Sequence, residues 1–252
     1  MSESITFNED CLEGMKRYPD GFFSLAVVDP PYGGGCSQSL NVERERERER
    51  EREPDGQPAY NRFGSPGSRF ERYKRDPDGR DMGGEVRKKI IAWDVAPGEE
   101  YFQELFRVSR NQIIWGGNYF ALPPTRCFLV WRKLTISESF TMAMAEYAWT
   151  SFNSNAKVFE CAPQGKPGDT RFHPTQKPVE LYAWVYKLFA KPGDKILDTH
   201  MGSQSSRIAA WDAGLDYVGF EIDKTYYELG EARFQKHTAQ TNLFLMEQDT
   251  LF

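Results

Sequence analysis

The sequence predicts an α/β fold with a mostly parallel, twisted sheet in one domain. Residues 25–28 are an apolar run, and residues 195–198 and 217–221 are short segments with apolar centres that end in an acidic residue, all of the length expected for buried strands. Helical spacing follows the second segment over 208–213. A strand, turn and helix followed by another strand is typical of parallel α/β sheets. At 252 residues the chain can bury one substantial core.

The first half contains further predicted elements. Residues 5–8 form an expected strand, and Asp10 is expected to cap a helix, with Glu13 completing a capping box. The remaining elements are a helix at 101–108 and strands at 113–115, 128–131 and 145–149.

Two helices are predicted in the last third of the chain. Pro178 is expected to begin the first, and four apolar residues at helical spacing are expected to face the core. These residues are Leu181, Trp184, Val185 and Leu188. The second helix is expected from Lys224 to about His237, with a tail at 238–252.

Asp29-Pro30-Pro31-Tyr32 follows the first apolar run, where a ligand crevice is expected at the carboxyl end of a parallel strand. Consecutive prolines fix the backbone, so the Asp29 carboxylate and the Pro30 carbonyl can accept hydrogen bonds from one small group. Tyr32 adds a flat face for stacking. These features suit a planar base with an exocyclic amino group, although a proline-rich turn with Asp29 satisfying backbone amides is the simpler alternative.

A second motif begins where the 195–198 run ends. Asp198 precedes a turn containing Gly202 and Ser203, and Glu221 ends the next strand 23 positions after Asp198. An acidic residue roughly 20 positions downstream holds ribose hydroxyls in nucleotide-binding folds. The spacing therefore predicts an adenosine-containing cofactor.

These motifs in this order resemble the β-type, permuted DNA amino-methyltransferases. His173-Pro174-Thr175-Gln176-Lys177-Pro178 is similar to the family segment that closes over the methionine end of S-adenosylmethionine, and residues 7–12 are similar to the segment that meets its adenine. The resemblance implies a Rossmann-like class I methyltransferase fold, S-adenosyl-L-methionine as cofactor and DNA as substrate. It implies catalytic roles for Asp29, Pro30, Pro31 and Tyr32, and cofactor-binding roles for Asp10, Cys11, His173, Thr175, Lys177, Asp198, Gly202, Ser203, Ser205 and Glu221.

The cofactor turn departs from the family pattern in two ways. Gln204 stands where a second glycine is usual, and its side chain could crowd the cofactor. Asp198-Thr199-His200 resembles a subgroup of phage and mobile-element methyltransferases, with His200 expected to pack rather than react. A catalytically weak DNA-binding or partner subunit is therefore an alternative.

Within this family, aspartate before Pro-Pro-Tyr is associated with adenine N6 and serine with cytosine N4. The leading hypothesis is an enzyme that methylates the N6 of a flipped adenine in DNA, and a cytosine-N4 enzyme is the nearest alternative. RNA is also an open substrate, since an unpaired base looks the same to such a pocket.

Two regions are candidates for DNA contacts. Residues 33–89 form an expected mobile or DNA-facing insertion, in which 62–89 carry nine basic and five acidic side chains, while 43–53 are a Glu-Arg alternation whose charges nearly cancel. Residues 133–172 are expected to be a short target-recognition region. Its candidate base contacts are Ser151, Asn153, Asn155 and Lys157, and an ordinary surface loop is the alternative.

Composition limits the remaining function classes. A net charge of -5 requires any phosphate contact to come from a local basic patch. The four cysteines lack metal-site or disulfide spacing, so no metal site is expected, and with no signal or membrane-spanning pattern we expect a cytoplasmic protein. A homodimer is a further expectation from the family.

The end of the chain carries two similar peptides, Gln240 to Phe244 and Gln248 to Phe252. Both resemble the Q-x-x-L-F peptide that docks bacterial proteins on the replication sliding clamp. Packing of Leu243 and Phe244 against the domain is the alternative.

Overall fold

The computed structural model describes residues 2–33, 95–137, 143–165 and 171–249, with side chains described as far as residue 240. Its contacts divide the chain into two units, one formed by Met1–Pro30 with Gly98–Phe252 and the other by Pro31–Pro97. In the second unit, a Cβ on Gly33 would lie 2.8 Å from the Cβ of Ala96, so these two segments approach closely. The Glu-Arg alternation at 43–53 and the basic segment 62–89 lie outside the described residues.

The first unit is built on one sheet. The strands in the described part of the chain are β1 (Ser4–Phe7), β2 (Leu25–Val28), β3 (Gln112–Trp115), β4 (Phe128–Lys133), β5 (Ala145–Thr150), β6 (Lys157–Cys161), β7 (Lys195–Asp198) and β8 (Asp216–Phe220). Their order across the sheet is β1-β8-β7-β2-β3-β5-β4-β6. Neighbours pair in parallel except at β5, which is antiparallel to both β3 and β4. The predicted α/β fold with a mostly parallel sheet is confirmed.

Helices lie along the chain between these strands. Those described are α1 (Cys11–Met15), α2 (Glu99–Val108), α3 (Val179–Phe189), α4 (Ser205–Asp212) and α5 (Lys224–Asp249), and a 3₁₀ turn at Gly117–Tyr119 follows β3. Asp10 caps α1 as predicted, accepting hydrogen bonds from the amides of Leu12 and Glu13. The prediction that Glu13 completes a capping box is wrong. Its carboxylate instead accepts a hydrogen bond from the exposed Lys16 ammonium.

The apolar runs are continuous because the sheet is covered on both faces. Alternate side chains of β2 point to opposite sides, so Leu25 and Val27 join one core while Ala26 and Val28 join the other. The first core includes Leu181 of α3, and the second includes Leu105 of α2. This double burial holds β2 rigidly in the middle of the sheet.

Three sequence expectations are wrong. The tail predicted at 238–252 is helical as far as Asp249, because residues 231–249 contain neither glycine nor proline to end α5. Leu188 is 42% exposed, since α3 buries Leu181, Tyr182, Val185 and Tyr186 instead. The edge strand β6 was not predicted, and its burial alternates along Lys157–Cys161. No helix among the described residues is long and apolar enough to cross a membrane.

Candidate active site

Four carboxylates follow the carboxyl ends of adjacent parallel strands. Asp29 comes directly after β2, Asp198 ends β7, Glu221 comes directly after β8, and Asp10 follows β1 by three residues. Because β1, β8, β7 and β2 are successive parallel neighbours, all four lie at one edge of the sheet. Ligands of open α/β sheets bind at this edge.

Lys177 contacts Asp29 directly. Its Nζ donates to the Asp29 Oδ2 at 2.5 Å, and the two side chains are only 4% and 14% exposed. Lys177 lies just before α3, in the segment that the sequence assigned to the cofactor, and the structure brings its ammonium to the carboxylate assigned to the target base. An ion pair buried to this extent fixes the orientation of both side chains.

The ion pair extends into a chain of alternating charges. Lys177 Nζ also lies 3.0 Å from Glu146 Oε2, and Glu146 Oε1 lies 2.5 Å from Lys133 Nζ. Burial opposes ionisation of Glu146, but the two ammonium groups outweigh it and lower the pKa of Glu146 to about 2. Burial also opposes the charge of Lys177, and the carboxylates of Asp29 and Glu146 more than compensate, so the pKa of Lys177 is raised.

Asp198 is held inside the protein. Its Oδ1 accepts from the His200 amide at 3.0 Å, and its Oδ2 accepts from the hydroxyls of Ser206 and Tyr217. Burial raises the pKa of Asp198 to about 6, the Ser206 hydrogen bond opposes that shift, and the nearby charge of Asp29 adds to it. These contacts make Asp198 a support for the turn that follows β7.

Glu221 ties that turn to the end of β8. Its Oε2 accepts from the Gly202 amide at 2.9 Å and its Oε1 from the Asp223 amide at 2.8 Å. Burial raises the pKa of Glu221 to about 7, and the two amide hydrogen bonds only partly offset it. A partly desolvated carboxylate at a strand end is suited to accept hydrogen bonds from a diol.

Gly202 and His173 pack against each other. Gly202 has a φ of +48°, and a Cβ there would lie 3.2 Å from His173 Cε1. The His173 ring also packs edge-on against Tyr226, and its Nδ1 lies 3.2 Å from the Thr175 hydroxyl. Burial lowers the pKa of His173 to about 3, so the ring is neutral at physiological pH. The structure thus brings three predicted cofactor residues together.

Ser203, Gln204 and Ser205 face the last helix. The two serine hydroxyls lie 3.1 Å apart, and Arg233 of α5 donates to the Ser203 carbonyl and the Ser205 hydroxyl. Gln204, the one non-glycine residue with a positive φ in the described chain, has a fully buried side chain that donates to Glu231 of α5. The side chain expected to crowd the cofactor is therefore held between α4 and α5.

Four predicted site residues are less directly connected to these contacts. Asp10 acts as the α1 cap, and burial raises the pKa of the adjacent Cys11 thiol to about 12, which makes it unreactive at neutral pH. Pro31 and Tyr32 belong to the second unit, where both are partly buried. Their predicted roles beside Asp29 and Pro30 stay predictions.

A model of the N6/N4 DNA methylase family matches residues 70–232, about two thirds of the chain. The chain belongs to this DNA methylase family. The match includes Lys177, Asp198 and Glu221 but begins after Asp29.

Two curated Escherichia coli (strain K12) proteins share shorter segments with this chain. YubD is 35% identical over 68 residues, 27% of this chain and 30% of YubD. DNA adenine methyltransferase YhdJ is 36% identical over 61 residues, 24% of this chain and 21% of YhdJ. The similarity thus spans less than a third of either relative.

Two solved structures share the fold of this chain. PvuII DNA methyltransferase, which is cytosine-N4-specific, has a TM-score of 0.51 at 12% identity, covering 96% of this chain and 92% of that one. A Thermus thermophilus protein solved in complex with S-adenosyl-L-methionine has a TM-score of 0.50 at 14% identity, covering 94% of each chain. Both likenesses support the class I methyltransferase fold.

The predicted base contacts lie at the edge of the sheet opposite Asp29. Because β5 runs antiparallel, residues 151–157 follow it at the edge opposite Asp29. Ser151 accepts there from the Gln112 amide, and Asn155 accepts from Arg126. Residues 151–157 therefore lie away from Asp29, and the base contacts predicted for Ser151, Asn153, Asn155 and Lys157 stay predictions.

Sequence reasoning placed Lys133 in a segment that resembles the family but gave it no role, and it missed Glu146. They stand at the carboxyl end of β4 and near the start of β5, so the antiparallel pairing of these strands brings both to the Asp29 edge. A charged residue inside an otherwise apolar strand was the available signal, since such groups are rarely buried without partners.

Proposed function

We propose that this protein transfers the methyl group of S-adenosyl-L-methionine to the exocyclic N6 of a flipped adenine in DNA. The observation that carries the proposal is the position of Asp29, a largely buried carboxylate held by Lys177 at the sheet edge where Asp198 and Glu221 also lie. Membership of the DNA methylase family agrees with this reading.

Methyl transfer to an amino group requires the protein to make a poor nucleophile reactive. The lone pair of an adenine amino group is delocalised into the ring. If Asp29 and the Pro30 carbonyl each accept one N–H, the nitrogen moves toward tetrahedral geometry and its lone pair leaves the ring plane. Asp29 then also balances the positive charge that develops on the nitrogen. Alignment of this kind contributes roughly 7 to 11 kcal/mol.

Tyr32 is proposed to stack on the extruded base. Removing a base from a duplex costs a few kcal/mol, and stacking on an aromatic ring returns about 1 to 3 kcal/mol. Tyr32→Ala should weaken DNA binding and turnover, whereas Tyr32→Phe should keep most of both.

The residues at the neighbouring strand ends fit S-adenosylmethionine, which supplies an electrophilic methyl group when bound. Glu221 offers a carboxylate for the ribose hydroxyls, and Gly202 leaves open backbone beside the His173 ring, where a Cβ would lie only 3.2 Å from Cε1 and the ring would have to shift. Thr175 holds the His173 ring, and Asp198 with Ser203 and Ser205 holds the turn. In this proposal Lys177 serves Asp29 rather than the cofactor.

DNA contacts are proposed on the connections at the Asp29 edge. Residues 134–137 follow β4 at this edge, residues 143 and 144 precede β5 there, and residues 162–165 follow β6. These connections are better candidates for reading the target sequence than residues 151–157. The basic segment 62–89 remains a candidate for phosphate contacts.

Adenine and cytosine present the same amino geometry, so a cytosine-N4 activity is the second candidate. YhdJ is an adenine methyltransferase and the PvuII enzyme is cytosine-N4-specific. Incubating the protein with labelled S-adenosylmethionine and mixed DNA, then separating the nucleosides, decides between them. We expect N6-methyladenine. N4-methylcytosine would replace the proposal by its alternative, and no methylated nucleoside in DNA or RNA would reject methyl transfer.

Clamp docking and homodimer formation also remain proposals. Residues 240–244 lie within α5, so a clamp would have to bind a helix or unwind it, and residues 250–252 lie outside the described chain. A pull-down on the clamp with and without the last thirteen residues tests the docking proposal.

A further inference from the structure

Glu146 occupies the centre of the charge chain behind Asp29. Each of its oxygens faces a different ammonium group, with Oε1 2.5 Å from Lys133 and Oε2 3.0 Å from Lys177. The side chains of Lys133, Lys177 and Glu146 are 7%, 4% and 22% exposed. The sequence Asp29, Lys177, Glu146, Lys133 therefore alternates in sign and is neutral overall.

Neutrality matters for what Asp29 can do. If Asp29 were the only anionic partner of Lys177, the ammonium would attract that carboxylate alone and would compete with any other hydrogen-bond donor to Asp29. Glu146 is a second anionic partner of the same ammonium, so the electrostatic attraction of Lys177 is shared between two carboxylates. Lys133 in turn balances Glu146, which keeps the buried group ionised.

The strands determine this arrangement. Lys133 and Glu146 stand on paired strands, with the Lys133 amide donating to the Met144 carbonyl at 2.8 Å. The Lys133 ammonium also lies 5.2 Å from the centre of the Trp131 ring, and the Lys177 ammonium lies 5.7 Å from the centre of the Trp115 ring. Lys133 and Glu146 are thus held by paired strands, and the Lys177 ammonium lies near a tryptophan of the neighbouring strand β3.

We propose that Glu146 is a positioning residue for methyl transfer, holding the Lys177 ammonium so that Asp29 remains an oriented and strong acceptor for the target amino group. Lys133 supports it. This inference rests on the proposed function and goes beyond it by assigning roles to two residues of β4 and β5 that need not touch DNA or cofactor.

The test compares Glu146→Gln with Glu160→Gln in the full chain. Glu160 is a matched control because it also pairs with a cation on β4, Arg132 at 2.8 Å, but is 49% exposed. Each change removes one negative charge and keeps the side-chain shape. We expect Glu146→Gln to lower kcat about tenfold or more while the KM for DNA and the Kd for S-adenosylmethionine stay within about threefold, whereas Glu160→Gln leaves all three unchanged.

Two further variants separate positioning from folding. Glu146→Asp keeps the charge and should restore part of the lost kcat. In a Lys177→Met background, Glu146→Gln should cause no further loss, because both residues act through the same ammonium. If Glu146→Gln fails to fold, the Asp variant and the Lys177→Met background decide the matter.

The outcomes distinguish this inference from the proposed function. A wild-type protein that transfers no methyl group overturns both. A wild-type protein that transfers methyl groups, with Glu146→Gln matching its kcat, overturns only the role of Glu146. Equal losses for Glu146→Gln in the wild-type and Lys177→Met backgrounds would also overturn it.

Discussion

The ammonium of Lys177 lies 2.5 Å from the carboxylate of Asp29, and both groups are largely removed from solvent. The two residues are 148 positions apart in the chain. Their contact joins the end of β2 to the segment before α3, so the carboxylate proposed to accept the target amino group is held by a second part of the chain.

The first prediction concerns stability. Lys177→Met leaves the carboxylates of Asp29 and Glu146 buried without their shared cation, so we expect the free energy of unfolding to fall by about 3 kcal/mol. Adding Asp29→Asn should recover part of that loss. Lys195→Met is the control, since its 3.1 Å pair with Asp216 is 40% and 32% exposed and should change stability by less than about 1 kcal/mol. Denaturant titration measures all four proteins, and equal losses for the two lysine variants would contradict the account.

The second prediction concerns the pH dependence of cofactor binding. Burial raises the pKa of Glu221 to about 7, and ribose hydroxyls donate preferentially to the ionised carboxylate. Affinity for S-adenosylmethionine should therefore be highest above pH 7 and fall below it, approaching about tenfold per pH unit. Titration calorimetry from pH 5.5 to 8.5 measures this slope. Glu221→Gln should bind more weakly and without the slope, and an unchanged slope in that variant would exclude Glu221 as its source.

A third prediction separates backbone strain from contact at the cofactor turn. Gly202 and Gly214 both have positive φ, +48° and +67°, but a Cβ meets the His173 ring at Gly202 and nothing within 4 Å at Gly214. Alanine at either position should cost about 1 kcal/mol of stability from strain. Only Gly202→Ala should also weaken S-adenosylmethionine binding, because it displaces His173. Similar affinities for the two variants would remove this turn from the cofactor site.

Much of the fold could be predicted from local sequence. The β2 run matched the observed strand because it is continuously apolar, as a strand buried on both faces should be, and the β7 run matched because Ile196 and Leu197 are followed by an aspartate and a small-residue turn. The predicted end of α5 near His237 was too early. Helical spacing weakens after that residue, which suggested an end, but nothing in the sequence ends the helix and it continues to Asp249.

The site was less predictable because its contacts depend on strand order. Lys133 and Glu146 reach Asp29 only through the insertion of antiparallel β5 between β3 and β4, and no local pattern encodes that order. The same insertion places residues 151–157 at the far edge. Lys177 was recognised as part of a motif. Its partner Asp29 lies 148 positions earlier in the chain, so the motif alone did not predict their contact.

The most direct test of the central claim is the effect of Asp29→Ala on two measurements made on the same preparation, methyl transfer to DNA and binding of S-adenosylmethionine. Asp20→Ala, which removes an 83% exposed carboxylate paired with Arg107, is the control. If Asp29 accepts a hydrogen bond from the target amino group, Asp29→Ala should lower the rate of methyl transfer about a hundredfold or more while the Kd for S-adenosylmethionine changes less than about threefold. Transfer at the wild-type rate by a folded Asp29→Ala protein would contradict the account.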